Sequence, residues 1–230
     1  MIQSRIYFKD LEKQPQLILN KYDYLVLYCN YSKHDSNWFK YLKNMPKNLK
    51  EEILGYQKKT DKYNSLFGKY LVYVGFLLCS GEKISFQKYL RDQYGKPLLK
   101  SKDALNFNIS HSRTTVTCVF SYANVGIDIE VQKERNYQDF KSVFSVSEYE
   151  KIMQEGKSTF YDFWTKKEAI LKLIGKGFST DPTTIEIQSK NATHESDTYY
   201  HKSFFLNKGV KGAIASKTPI KKILFAEIFF

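Results

Sequence analysis

Neither a disulfide framework nor a zinc site can be drawn from this chain. Its three cysteines, Cys29, Cys79 and Cys118, are scattered, odd in number and without a CxxC pair; that usage fits a reducing cytoplasm. No secretory leader is expected, because Asp10, Glu12 and several lysines interrupt the first turns. The longest apolar run, 66–79, has 14 residues and contains Lys69. That is too short to span a bilayer, so it predicts a buried helix. GxGxxG and Walker patterns are missing, which removes support for a dinucleotide fold or a P-loop. No internal repeat is visible by residue identity.

Acid is the scarcer charge, with 24 Asp and Glu against 36 Lys and Arg, a formal balance of +12. Such a balance calls for an anionic partner: nucleic acid, an acidic membrane, a phosphorylated metabolite or an acidic protein. The lysines are spread along the chain, so charge alone does not choose. A hydrophobic content of 42% with 16% aromatics excludes a disordered chain. At 230 residues one large domain or two small ones can bury a core.

The local patterns predict an α+β protein, with helices packed on antiparallel sheets. Residues 24–29 form an early strand. Leu49 to Gln57 has weak helical periodicity, with Lys47 and Lys50 nearby as ordinary candidates for a solvated face. The next helix runs through Leu66, Leu71 and Leu78, capped by Asp61 or Asn64 and ended by Ser80-Gly81. Tyr94-Gly95-Lys96-Pro97 is a turn. A strand over 105–109 leads into Ser110-His111-Ser112, expected as a turn. The β-branched run 114–121 is expected to fold back through Tyr122-Ala123-Asn124 onto 125–131 as a hairpin. Ser145 and Glu148 form a capping box, with Phe144 and Tyr149 as its hydrophobic staple. A helix follows from about 160 to 174, closed by Gly175-Lys176-Gly177. Strands are expected at 184–188, 199–206, 210–216 and 223–230.

The stretch Val125-Gly126-Ile127-Asp128-Ile129-Glu130-Val131 alternates strictly. The apolar residues share one strand face, and Gly126, Asp128 and Glu130 the other. Its two carboxylates then stand about 7 Å apart along the backbone. They make a pair of hard oxygen ligands for Mg²⁺, or an ordinary solvated face. On the later helix, Glu168 and Lys172 lie one turn apart. That spacing is a surface ion pair in most helices, or else a third ligand and a cation for a phosphate oxygen. His111 either completes local hydrogen bonds or grips a phosphate together with Ser110.

Four segments in order, Gly95-Lys96-Pro97, Phe107-Asn108-Ile109-Ser110-His111-Ser112, Gly126-Ile127-Asp128-Ile129-Glu130 and Trp164-Thr165-Lys166-Lys167-Glu168 with Lys172, resemble the surfactin-type 4′-phosphopantetheinyl transferases. The resemblance is strongest over 94–177, with fainter likeness at 46–72 and 211–215. It implies two similar α+β halves related by a pseudo-twofold, 1–110 contacting the nucleotide and 111–230 carrying the acids, with the active site between them. It implies that coenzyme A, the substrate, gives its 4′-phosphopantetheine arm to a serine of an apo acyl or peptidyl carrier protein, leaving adenosine 3′,5′-bisphosphate. By position, Asp128, Glu130 and Glu168 would hold Mg²⁺, or Mn²⁺. Ser110 and His111 would contact phosphates, Lys96 and Pro97 would line the adenine site, and Lys47, Lys50 and Ser65 would meet the nucleotide. Lys172 would serve the leaving phosphate, and Glu168 the serine proton. Asn64 stands where relatives often carry arginine, and Phe178 where leucine is usual.

A nucleic-acid module has only the charge in its favour, and carboxylates would repel phosphates there without a metal. A silent coenzyme A-binding relative would not need the full acidic set. The expected partners are therefore coenzyme A and an acidic carrier protein, with no nucleic acid and no membrane, for a cytoplasmic monomer of pseudo-dimeric fold.

Overall fold

The computed structural model describes residues 2–11, 18–33, 38–81, 83–99, 104–176, 180–206 and 209–230. Glu12, Gly177 and Phe178, used above, lie outside them. The chain divides into two units, 1–122 with 222–230, and 123–221. A division at 110/111 would cut a continuous strand, since β5 runs Asn106–Ser112. It would also assign the last strand, β12 (Ile223–Phe229), to the wrong sheet, because β12 pairs with β1 (Ile2–Tyr7) and β2 (Tyr24–Asn30).

In the first unit the strand order is β1-β12-β2-β6-β5, with β6 spanning Thr115–Ser121. The expected antiparallel pairing holds for β2, β6 and β5, while β12 runs parallel to both its neighbours. Strands β2 and β6 are buried almost throughout, as internal strands covered on both sides must be, so their sequences run apolar rather than alternating. Helix α4 (Lys59–Ser80) lies on β2, β5 and β6 and buries the 66–79 run. It begins earlier than Asp61 or Asn64, at Lys58, which gives no side-chain cap. Short helices α1 (Phe8–Leu11) and α2 (Phe39–Lys43), then α3 (Lys47–Gly55), precede it. A two-stranded ribbon, β3 (Tyr89–Arg91) and β4 (Pro97–Leu99), follows.

The second unit holds a wholly antiparallel sheet in the order β7-β11-β10-β9-β8. Its strands are β7 (Val125–Val131), β8 (Glu186–Ile187), β9 (Asn191–His194), β10 (Asp197–Phe205) and β11 (Val210–Ser216). Helix α5 (Val146–Glu155) starts on the expected capping box, and α6 (Lys157–Ile174) crosses β7, β11 and β10. Gly175 ends α6 at φ 75°, the left-handed conformation that a side chain disfavours. Ala169, Ile170 and Leu173 pack on Ala213, Ala215 and Tyr199 of the sheet. Phe144, Phe160 and Tyr161 form an aromatic cluster beside them, where the Phe160 and Trp164 rings stack at 5.8 Å.

The β6–β7 hairpin does not form, and the two strands belong to different sheets. Instead β6 folds back on β5, so 110–112 is strand rather than turn, and the tight turn falls at Arg113, φ 52°. Each unit repeats one scheme: a first strand, helices, a hairpin, and a last strand of that hairpin returning antiparallel beside the first. In the first unit these are β2 and β6, and in the second β7 and β11. Residue identity hides this repeat because packing constrains only size and polarity.

Candidate active site

In the second unit, Gly126 decides where the acids stand. A Cβ on this residue would lie 2.0 Å from the Ala169 carbonyl oxygen and 2.7 Å from the Leu173 nitrogen. Only glycine lets α6 rest so closely on β7. Because Gly126, Asp128 and Glu130 share a strand face, that contact turns the acids toward the helix. The face is not a solvated one: Asp128 is 5% exposed. Lys172 Nζ donates to Asp128 Oδ1 at 2.7 Å, joining α6 to β7.

Glu168 lies one turn before Lys172 and is partly buried. Burial lifts its carboxyl above the ordinary glutamate range, the charges of Asp128 and Glu130 push the same way, and Lys172 opposes them. Glu168 therefore senses the charge of both other carboxylates. The three offer only hard oxygen donors, which suit Mg²⁺ or Mn²⁺ and not zinc. Their mutual repulsion is of the kind that a divalent cation relieves. As the side chains stand, no group of three or more His, Cys, Asp or Glu among the described residues is gathered to hold an ion.

The motif around Glu168 carries two further lysines with different employment. Lys167 is 1% exposed; its Nζ meets Glu148 Oε2 at 2.9 Å and donates to the carbonyls of Pro182 and Ile185, each at 2.7 Å. Glu148 in turn caps α5 and accepts from Ile187 N. Lys167 is thus a buried tie between α5, α6 and the start of the sheet. Lys166 pairs with Asp162, which also takes Lys211 Nζ at 2.7 Å and the Ser203 hydroxyl at 2.8 Å. Burial alone would raise Asp162, but these three donors bring it down to about 2. The sequence reading missed this cluster because its members lie on three elements.

The first unit carries the other expected site residues. Lys47 is almost fully exposed, near Glu51 at 3.9 Å, and Lys50 is half-buried on the same helix. Ser110 is buried and His111 exposed, on opposite faces of β5. His111 faces α4, where Asn64 Nδ2 lies 3.3 Å from its Nδ1. With the amide nitrogen donating, the ring proton belongs on Nε2. Lys96 and Pro97 follow a tight turn in which Asp92 Oδ1 accepts from the amides of Tyr94, at 2.8 Å, and Lys96, at 2.9 Å. Burial holds the Lys96 ammonium below the usual lysine range, against the pull of Asp92. Ser65 Oγ accepts from the buried Lys69 at 2.8 Å. Lys69, its partner Glu52 and Asn64's contact with His111 were not singled out from sequence as parts of a site; an isolated lysine inside an apolar run is the signal that was available.

Comparison with known proteins gives consistent matches. The profile of the 4′-phosphopantetheinyl transferase superfamily matches residues 124–215, and that of the 4′-phosphopantetheinyl transferase N-terminal region matches 30–122. The 4′-phosphopantetheinyl transferase gsp of Aneurinibacillus migulanus is 36% identical over 153 residues, 62% of this chain and 62% of that protein. The chain thus matches less than two thirds of that relative's length. The 4′-phosphopantetheinyl transferase Sfp of Bacillus subtilis strain 168 is 28% identical over 181 residues, 74% of this chain and 81% of that protein. An L-aminoadipate-semialdehyde dehydrogenase-phosphopantetheinyl transferase of Candida glabrata is 24% identical over 174 residues, 70% and 66% respectively.

Proposed function

From the premise that this chain belongs to the surfactin-type 4′-phosphopantetheinyl transferases, we propose that it transfers the 4′-phosphopantetheine arm of coenzyme A to a serine hydroxyl of an apo acyl or peptidyl carrier protein. Adenosine 3′,5′-bisphosphate would be the other product of that transfer. The observation that supports this reading best is the β7–α6 contact, with Asp128 bonded to Lys172 and Glu168 raised by burial and then by its acidic neighbours.

Asp128, Glu130 and Glu168 would hold Mg²⁺, with Mn²⁺ as a substitute. The ion supplies charge neutralisation at the diphosphate of coenzyme A. Lys172 supplies a cation, and a proton, to the departing phosphate oxygen. Glu168 is also the candidate acceptor for the proton of the carrier serine, directly or through a water. In the first unit, the His111 Nε2–H, Ser110 and Lys96 are donors for phosphate oxygens, and Pro97 offers an apolar surface to adenine. Lys47, Lys50 and Ser65 extend the cationic and hydroxyl surface for the nucleotide. The net charge of +12 favours both polyanionic coenzyme A and an acidic carrier.

Three buried free thiols fit a reducing compartment such as the cytoplasm. No helix among the described residues is long and apolar enough to cross a membrane. The repeat of one topology within the chain supplies two units without a second copy, in keeping with a monomer.

The test is intact-mass spectrometry of several apo carrier domains incubated with the protein, coenzyme A and Mg²⁺. A gain of one phosphopantetheine mass, abolished by a chelator and restored by Mg²⁺, is the expected result. No gain on any carrier at micromolar enzyme would refute the reading.

A further inference from the structure

The proposed reaction leaves one buried ionic chain in the first unit without a task. Lys69 is 2% exposed in the middle of α4, a position where an ammonium needs full compensation. Its Nζ donates to Glu52 Oε1 at 3.0 Å and to Ser65 Oγ at 2.8 Å. The same Glu52 oxygen accepts from Arg91 Nη2 at 2.7 Å, and Arg91 Nη1 donates to the Gly95 carbonyl at 2.9 Å. A continuous line of bonds therefore runs from Ser65 on α4, through Glu52 on α3, to the turn of the β3–β4 ribbon.

Both ends of this line carry residues expected to meet the nucleotide. At one end, Ser65 uses a lone pair to accept from Lys69, so its own O–H is available to donate to an anion. At the other, Arg91 fixes the carbonyl just before Lys96-Pro97, while Asp92 Oδ1 fixes the Lys96 amide. Apolar side chains of similar volume would fill the space around Lys69 as well and would avoid desolvating its ammonium. They would not set the register of a two-stranded ribbon against a helix, which a fork of directed bonds does.

We infer that Glu52 and Arg91 are positioning residues for coenzyme A, holding the Ser65 hydroxyl and the Lys96-Pro97 turn in the arrangement that receives its anionic nucleotide. The inference rests on the proposed transferase reaction. Arg91 is partly exposed, so its removal leaves the fold standing, and the Arg91→Gln and Glu52→Gln variants can be compared with wild type. Binding of coenzyme A is measured by isothermal titration, with KM and kcat for each substrate alongside. Arg91→Gln raises Kd and KM for coenzyme A about tenfold, the effect of losing one orienting partner, while kcat and the carrier KM stay within about twofold. Glu52→Gln keeps an acceptor oxygen and loses less affinity than Glu52→Ala. Wild-type affinity for coenzyme A in folded Arg91→Gln overturns the inference alone. A wild-type protein that binds no coenzyme A overturns the reaction, and the inference with it.

Discussion

Replacing Gly126 by alanine separates an architectural role from a chemical one, since the residue has no side chain to take part in catalysis. The added Cβ would stand 2.0 Å from the Ala169 oxygen, whereas ordinary contact begins at 3.4 Å, so α6 must retreat from β7 by about 1.4 Å. Both atoms in conflict are backbone, and no rotamer change relieves them. Overpacking of this kind costs about 3 kcal/mol, which lowers the melting temperature of a chain this size by about 6–12 °C. The retreat also carries Glu168 and Lys172 away from Asp128, stretching the 2.7 Å bond beyond hydrogen-bond range. A misplacement of about 1 Å at reacting groups costs about a hundredfold in rate. Gly126→Ala is therefore expected to remain folded at 20 °C and to modify a carrier about a hundredfold more slowly, read by intact mass over time beside a thermal melt. Gly68→Ala is the control: its Cβ would meet Ile109 Cγ2 at 3.5 Å, an ordinary contact, and stability should hold or rise. A Gly126→Ala protein with native melting temperature and native turnover would refute the reasoning.

Two further predictions rest on the same unit. Lys172→Met removes the cation bonded to the nearly buried Asp128 carboxylate, costing about 1–3 kcal/mol in urea unfolding; adding Asp128→Asn should recover part of that stability while turnover stays lost, and a double variant less stable than Lys172→Met would contradict the pairing. For Asp162, the folded carboxyl at about 2 lies below its ordinary 3.8, so its contribution is complete above pH 4 and fades as pH falls toward 2. Discounted for partial exposure, Asp162→Asn should cost about 1–2 kcal/mol at pH 7 and little at pH 2, and an equal loss at both pH values in urea titrations would exclude the linkage.

Much of the local structure was legible because local rules govern it. The apolar run 66–79 became the buried body of α4, Ser145 and Glu148 capped α5, and Val210–Ser216 became β11 with the expected bounds. Pairing was less legible. The run 114–121 had the composition of a strand, but nothing local said that it would pair with 106–112 behind it and with β2, and not with 125–131 ahead. Likewise Ile2–Tyr7 and Ile223–Phe229 join one sheet from opposite ends of the chain, and the pairing is parallel, which no turn signal announces. Lys166 and Lys167 are neighbouring, identical residues in sequence, yet one pairs with Asp162 and the other is buried on Glu148.

By itself the sequence determined which groups are present and where they fall along each element: alternation puts Asp128 and Glu130 on one strand face, and helical spacing puts Glu168 beside Lys172. Only the tertiary structure decided that this strand face is covered by that helix, because the close approach depends on a missing Cβ at Gly126 meeting the backbone at Ala169. The tertiary structure likewise linked Ser65 to Gly95 through Lys69, Glu52 and Arg91. Spacing along a chain sets direction at each residue; distance between residues far apart in sequence is set by packing, and the charges respond to distance.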